Sequence, residues 1–579
     1  MRIFQRCSPV ALLFLALATC ARGSEISVGQ IAVGGGHACA LLMPRGTIKC
    51  WGNNDHGSLG DGTTVTSLTP VDVLGIENAT SIALGRHESY ALMPGGKIKA
   101  WGNNHGGQLG DGTLNTRTEP VDVVGIVGAS KITADSAHAC ALLNPGGTIK
   151  CWGWNGDGRV GDGSYTRRTT PSPVAITNAI DVSAGNGFTC AVLLGGGIKC
   201  WGTNSRWDDV TIAGQLGDGT NTAQRNTPVD VVSIATATSV ASGYWHACAL
   251  LNGGAVKCWG ANDYGQLGDG TITSSNVPVD VVGIETATSI SVGLSNSGIT
   301  LPDGSIKTWG NSYLGDGTSN ISNVPVDVPG IINAISLVLG KGHNSCVLLP
   351  GHDAIKCWGD NDSGRLGDGT TEDRLAPVSV RGPPCDASAP PKNGGVGDCV
   401  GDLASGSTCQ PTCEEGYAVS GWSSCHTFGF LTAATCSPSP CDASAAPANG
   451  AVGDCTSSLA SGSTCQPTCN TGYTVSGPSS CSFGTLTAAT CEPNPCIAST
   501  NSSKDGSDGE FYCINGGSAG GTTGSCTCTS CATRYGGKNC DIGPCDMEKS
   551  CFDFNVRNGM TTPASCAFLG DEDVTGCRS

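Results

Sequence analysis

The chain has 579 residues, a net charge of −17 and only 14% charged residues. That length calls for several modules, and an acidic chain with no long Lys/Arg run is attracted neither to nucleic acid nor to anionic membrane surfaces. Its 87 glycines and short β-type runs, with no long helical period, point to an all-β architecture.

Residues 1–23 read as a secretory signal. Arg2 and Arg6 form the charged start, Val10 to Ala18 (VALLFLALA) the apolar stretch, and small residues precede Ser24. The apolar stretch is too short to span a bilayer. A lipoprotein signal ending in LATC at Cys20 is the alternative, with Thr19 larger than is usual at its site. Of the 34 cysteines, Cys7 and Cys20 leave with the signal and an even set remains. An even, dense cysteine set behind a signal implies an oxidising destination and a disulfide framework. Acceptor sequences for N-glycosylation at Asn78, Asn320, Asn361 and Asn501 fit that compartment. No later stretch is apolar enough for membrane insertion, and the C-terminal DEDVTGCRS is no lipid-anchor signal. The expectation is a soluble protein that is secreted, outside the cell or at its surface.

From residue 24 a unit of near 50 residues recurs seven times. Its Trp-Gly pairs begin at Trp51, Trp101, Trp152, Trp201, Trp259, Trp309 and Trp358, and each is followed by an L/V-G-D-G-T/S turn. A P-V-x-V stretch follows most of the turns, as in PVDVVGI from Pro120 to Ile126. Every copy holds four short β-type runs separated by Gly, Pro and Asp. Four-stranded sheets repeated radially make a β-propeller, so seven blades are expected over residues 24–381. Tryptophan at one fixed place per blade is expected to fill the wedge between neighbouring sheets.

Five copies carry a cysteine pair: Cys39/Cys50, Cys140/Cys151, Cys190/Cys200, Cys248/Cys258 and Cys346/Cys357. The second copy has Tyr90 and Ala100 instead, and the sixth Gly298 and Thr308, so both members are lost together and never one alone. A short hairpin turn separates the members, which places each pair on adjacent antiparallel strands as a disulfide. Two cysteines per blade do not complete a zinc site.

The G-x-x-H-x-C-A-L-L, W-G-x-N and G-Q-L-G-D-G features resemble the regulator of chromosome condensation repeat across about residues 26–381. The resemblance implies a seven-bladed propeller. It also implies a spread of functions: the founding nuclear member exchanges nucleotide on a small GTPase and binds chromatin, whereas a secreted bacterial inhibitor of β-lactamases uses the same fold as a binding surface. A signal peptide, disulfides and acidity set this chain apart from the nuclear role.

Departures from the repeat are the better site candidates, because the scaffold does not need them. Trp154 stands where other copies have Asn, Ala or similar, the fourth copy inserts SRWDDVTIA with Trp207, Asp208 and Asp209, and the fifth places Tyr244 and Trp245 before His246. If the strands run in order across each blade, these loops share one face. A recognition patch of Trp154, Trp207, Tyr244 and Trp245 for a sugar ring or a protein partner is therefore expected; packing under longer loops is the competing reading.

His37, His138 and His246 share one repeat site, but Glu88, Phe188 and Asn296 interrupt it, so a hydrogen-bonding role is expected over a metal ring. The LGDGT aspartates are expected to bond their own backbone, since one carboxylate cannot supply six to eight calcium ligands. No catalytic set, metal site or cofactor is read from the sequence.

Beyond APVSVRGPP the composition changes. PCDASAPPKNGGVGDC…SGSTCQPTCEEGYAVSG, in a module of residues 382–436, returns as PCDASAAPANGAVGDC…SGSTCQPTCNTGYTVSG in residues 437–491. The P-x-N-G and C-x-x-G-Y-x-x-x-G features resemble the complement-control (sushi) module. The resemblance implies Cys385–Cys425 and Cys413–Cys436, then Cys441–Cys481 and Cys469–Cys491. It leaves Cys399–Cys409 and Cys455–Cys465 as extra hairpin bridges. The family's tryptophan is missing, with Leu431 and Leu486 at about its place. Within residues 492–540, CINGG and CATRYGGKNC resemble an epidermal growth factor-like module and imply Cys531–Cys540. The acidic KDGSDGE stretch there is expected to be a solvated loop, and residues 541–579 form a cysteine-containing tail.

The combination reads as a secreted, non-enzymatic recognition or adhesion protein for extracellular protein or glycan ligands, and it implies no particular oligomeric state. An extracellular enzyme inhibitor using the propeller face is the alternative, and nucleotide exchange is the least favoured.

Overall fold

The computed structural model describes residues 26–206, 213–351, 355–399, 401–499, 510–512, 518–523, 525 and 527–530. The signal at 1–23, Trp207, Asn501, the Cys531–Cys540 pair and the tail at 541–579 lie outside the described residues. The chain forms two compact units; the first holds the repeats through Asp386 together with 401–408 and 424–432, and the second holds the remaining residues.

Among the described residues the first unit contains seven four-stranded antiparallel sheets, each with its strands in chain order. Sheet one is Ser27–Val33, His37–Met43, Thr47–Gly52 and Ser67–Asp72. The first strand of each sheet packs on that of the next, and the first strand of sheet seven (Ser336–Leu339) packs on Ser27–Val33, closing a propeller-like ring. The last strand, Arg374–Ser379, pairs within its own sheet, so the ring closes without a shared strand, through packing and through hydrogen bonds such as Trp51 Nε1 to Arg365 O at 3.1 Å.

The second and third strands of each sheet place the same two repeat positions opposite one another. Cys39 faces Cys50, Cys140 faces Cys151, Cys190 faces Cys200, Cys248 faces Cys258 and Cys346 faces Cys357. Tyr90 faces Ala100 and Gly298 faces Thr308 in the two sheets without cysteine. All five cysteine pairs are bonded, with Cα separations of 4.0–4.1 Å, as the closer of the two antiparallel pairings allows. These bridges are parts of the wedge cores and not accessible sites. Cys200 is fully buried in the wedge that holds Trp259, Cys258 in that of Trp309 and Cys357 in that of Trp51. In sheet two the Tyr90 hydroxyl instead donates to the Gln108 carbonyl at 2.6 Å, anchoring that position without sulfur.

The seven tryptophans are fully buried between sheets. Trp101 packs among Leu41, Ile48 and Leu59 of sheet one and donates its indole N–H to the Ser58 carbonyl at 2.9 Å. The LGDG turn makes this possible: a Cβ on Gly60 would lie 2.7 Å from the Trp101 Nε1, and the φ of +69° there suits glycine. Inside six of the seven turns a buried asparagine (Asn54, Asn104, Asn155, Asn204, Asn262 or Asn361) holds the loop. Asn54 Nδ2 donates to Asp61 Oδ1 and to the Thr63 and Val65 carbonyls, while Asn54 Oδ1 accepts from Leu59 N. Asp61 in turn accepts from Thr63 N at 3.0 Å, a local turn bond.

The turn of sheet six, NSYLGDG, is shortened. In three other wedges one loop carbonyl serves both the next tryptophan and the next hydroxyl: Ser58 O for Trp101 and Ser89, Arg159 O for Trp201 and Thr189, and Gln266 O for Trp309 and Ser297. In the shortened turn no carbonyl takes that role, and Trp358 Nε1 and Ser345 Oγ are left without a hydrogen-bond partner among the described residues.

Six wedges contain one isoleucine from the segment after the fourth strand: Ile76, Ile126, Ile176, Ile234, Ile284 and Ile331. After sheet seven the chain reads RGPPC and offers none. Phe428 enters that wedge instead, beside Trp51 and Val380, and Phe430 packs against it under the Lys49 ammonium. The first compact unit thus takes in residues beyond 381.

In the second unit, residues 441–491 form short β pairings stapled by Cys441–Cys481, Cys455–Cys465 and Cys469–Cys491. The preceding copy carries Cys385–Cys425, Cys399–Cys409 and Cys413–Cys436. Such small units depend on staples because their cores are thin; here the bridge sulfurs themselves, with Ala443 and Leu459, form the core.

Candidate functional site

The loops between first and second strands and those between third and fourth strands share one face of the ring. Asn53 N donates to Gly36 O at 2.8 Å within sheet one, and Ser58 Oγ donates to His87 O at 2.7 Å from sheet one to sheet two. The His sites beneath this face knit neighbouring sheets. His37 Nε2 meets Ser89 Oγ, His138 Nε2 meets Thr189 Oγ1, and His246 Nε2 meets Ser297 Oγ, all at 2.8–2.9 Å. Each hydroxyl donates onward to a carbonyl, so it accepts from the imidazole N–H. Burial holds His37 and His246 neutral, with pKa values lowered to about 3, and pushes His138 down as well.

The ring's centre is closed on this face by charge. Lys341 of sheet seven reaches across to Asp135 of sheet three at 3.3 Å and donates to the Ser242 carbonyl of sheet five. Ser136 Oγ bonds Asp135 Oδ1 at 3.0 Å and Asn186 Oδ1 at 2.9 Å. Burial raises the Asp135 carboxyl above its ordinary range, with Lys341 opposing. Glu88 stands at the His site of sheet two, and burial pushes its carboxyl well above the usual range, with Asp135 adding to the push. Its Oε2 accepts from His87 N, while Oε1 has no hydrogen-bond partner among the described residues.

Away from the centre, Trp154 lines a groove of about 340 Å³ with Asn155, Gly156, Tyr165 and Arg167. Trp154 is 41% exposed and Tyr165 46%. The Arg167 guanidinium lies 4.9 Å from the Trp154 ring centroid, within the range of a cation–π contact. A Cβ on Gly156 would come within 3.0–3.2 Å of the indole, so glycine lets the ring lie over the backbone. These residues depart from the repeat together. The place of Tyr165 is Thr64, Leu114 or Ile272 in other copies, and that of Arg167 is Thr66, Ser274 or Asp373. In those three copies the latter side chain accepts the backbone N–H of the loop asparagine. Arg167 cannot accept and gives up that scaffold bond.

The structure divides the patch expected from sequence. Trp154 lines the groove, and Trp207 is outside the described residues. Tyr244 is a correction: it is only 5% exposed, held at the centre within electrostatic reach of Arg86, Asp135 and Arg159, and burial raises its hydroxyl pKa. Trp245 stands half-buried edge-on to Tyr244, with ring centroids 4.6 Å apart. Tyr165 and Arg167 were not singled out from sequence, although the repeat comparison that exposed Trp154 marks them equally. Among the glycosylation candidates, Asn78 and Asn320 are exposed. Asn361 is a second correction: it is fully buried and its Nδ2 donates to Asp368, Thr370 and Glu372. It is the loop-holding asparagine of sheet seven and cannot present its nitrogen to a sugar.

The regulator of chromosome condensation (RCC1) repeat matches residues 28–58, 179–206 and 237–266 in one form and 45–92, 147–192 and 254–299 in another. The ultraviolet-B receptor UVR8 of Arabidopsis thaliana is 28% identical over 252 residues, which cover 42% of this chain and 44% of the receptor. The E3 ubiquitin-protein ligase HERC2 of Homo sapiens is 39% identical over 70 residues, 12% of this chain and 1% of the ligase. The chain thus spans less than half the length of these relatives. Among solved structures, yeast RCC1 (Prp20) bound to Kap60 superposes with a TM-score of 0.51 at 18% identity, covering 66% of this chain and 91% of that one. Prp20p from Saccharomyces cerevisiae gives 0.50 at 20% identity, over 57% and 85%. At such identities the likeness speaks for the fold. The chain carries regulator of chromosome condensation repeats, folded as a propeller-like ring of four-stranded sheets.

Proposed function

We propose that this is a secreted, non-enzymatic recognition protein, in which a seven-bladed propeller presents the Trp154–Tyr165–Arg167 groove to an extracellular glycan or protein. The observation that carries the reading is convergence: residues that break the repeat, one of them giving up a scaffold hydrogen bond, meet in one accessible groove. Exposed aromatic faces with adjoining polar groups suit sugar rings and protein anchors. The dense disulfides suit an oxidising compartment, and among the described residues no helix is long and apolar enough to cross a membrane.

The two stapled units act in this reading as sushi-like spacers and protein-binding modules, followed by an epidermal growth factor-like module. Pairing of first with third and second with fourth family cysteines, as in Cys441–Cys481 and Cys469–Cys491, supports the sushi assignment. An extracellular enzyme inhibitor is the second reading, with the same groove contacting a secreted hydrolase. Prp20p is described for its binding to Gsp1p and histones; that role is least favoured here, because acidity disfavours chromatin.

The test is to screen the secreted full-length chain against extracellular glycans and proteins, in parallel with Trp154→Ala and Tyr165→Ala. Retention of every interaction by both variants would remove the groove from the function. Stoichiometric inhibition of a secreted hydrolase would favour the second reading.

A further inference from the structure

We infer that the ligand of the Trp154 groove is an acidic saccharide, one whose sugar ring carries a carboxylate or sulfate. The inference rests on the recognition reading above and names the chemistry the groove selects.

Three observations carry it. First, Arg168, next in the chain, takes the recurrent scaffold role by pairing with Asp162, as Arg117 does with Asp111 and Arg374 with Asp368. Arg167 is the additional cation and has no ion pair or hydrogen bond among the described residues, in a chain with 48 acidic side chains against 31 basic ones. Second, its guanidinium is held against the Trp154 ring rather than extended into water. A planar fork pre-positioned this way loses little freedom on meeting a planar or tetrahedral oxyanion, and can bond it bidentately. Third, the Trp154 indole N–H makes no hydrogen bond among the described residues, whereas the wedge tryptophans Trp101, Trp152 and Trp259 donate theirs to carbonyls. An exposed indole with a free donor, a second exposed ring at Tyr165 and a cation in the same loop give a sugar a stacking face, a hydroxyl partner and an acid partner.

A volume of about 340 Å³ is at the small end of ligand sites, suited to about one saccharide ring with its substituents. An acidic peptide would satisfy Arg167 as well, but the groove is short and lined by two aromatic faces rather than by an exposed sheet edge, which favours a ring over an extended strand.

The experiment is calorimetric titration of the full-length chain with three oligosaccharides of equal length: an oligohexuronate, a sulfated oligohexose and a neutral oligohexose. The expected result is that at least one acidic probe binds and the neutral one binds about 10- to 100-fold more weakly, the worth of a charged hydrogen bond. Arg167→Gln should bring the acidic probe down to the neutral level, with the thermal unfolding profile unchanged, and Trp154→Ala should abolish both. The two acidic arms decide between carboxylate and sulfate. Equal binding of neutral and acidic probes, or full acidic affinity in Arg167→Gln, overturns the inference while the recognition reading stands, provided Trp154→Ala still abolishes binding. Binding of a Glu-rich peptide without any acidic sugar also overturns it. If no ligand depends on Trp154, both readings fall.

Discussion

Replacing Phe428 with alanine should loosen the ring at one place, the wedge between sheets seven and one. Phe428 is 5% exposed there and fills the position that an isoleucine occupies in the other six wedges. A buried phenylalanine removes about 150–250 Å² from water, worth roughly 4–6 kcal/mol at about 25 cal/mol per Å². A denatured chain that already buries part of its surface reduces this by about 10–40%. The remainder, about 2–5 kcal/mol with its middle near 3–4 kcal/mol, overlaps the measured Phe→Ala costs in cores. Because the chain has several units, a single unfolding free energy is not the right readout. Native-state hydrogen exchange of the full chain resolves the wedge. Amides in His37–Met43 and Asn344–Leu348 should lose about a hundredfold to a thousandfold protection, while those of Phe188–Leu193, across the ring, should change little. Phe428→Leu should recover most of the loss. Unchanged protection in sheets one and seven, or a uniform loss around the ring, would refute the idea that Phe428 closes the seventh wedge.

Acid should weaken the ring through its buried histidines. Between pH 6.5 and about 3 the unfolded chain takes up protons that His37 and His246 refuse when folded, so stability falls as pH drops through that window. The cost is roughly 2–3 kcal/mol for each at pH 4.5, and the His37→Asn/His246→Asn double variant should show a flatter melting temperature between pH 7.5 and 4.5. Glu88 has the opposite sign. Its raised pKa means that its contribution is lost as pH rises above the ordinary carboxyl range. Glu88→Gln should therefore melt higher than the native chain at pH 7.5 and equally near pH 4. For glycosylation, mass spectrometry of the secreted protein should find occupancy at Asn78 and Asn320 and none at Asn361; a glycan on Asn361 would contradict its place in the sheet-seven turn.

The repeat made much of the ring readable in advance. Local chemistry forces the Trp-Gly strand, the cysteine hairpins and the L-G-D-G turn, because each depends on residues a few positions apart: Asn54 on Asp61, Gly60 on its own φ, Cys39 on the strand it turns back to. Seven repetitions multiplied a signal that one copy would leave ambiguous, and losses in matched pairs, such as Tyr90 with Ala100, pointed to contacts. Less of the site was readable. Trp154 was found by its departure from the repeat, but Tyr244, which departs as visibly, is turned inward to the charged centre. A sequence departure says that the scaffold does not need the residue; it does not say which way the side chain points.

Period, turn chemistry and the partnership of the hairpin cysteines were determined by the sequence alone, because they are set by short-range sterics and by the alternation of a strand. Only the tertiary structure decided what happens where distant segments meet. Lys341 reaches Asp135 through the ring's centre, 206 positions away in sequence, and Phe428 arrives from beyond the repeats to complete a wedge for which the last copy carries no isoleucine. Asn361, an acceptor by its neighbours in sequence, is spent inside a turn. Each of these outcomes depends on burial and on partners supplied by ring closure, a global condition that no local pattern encodes.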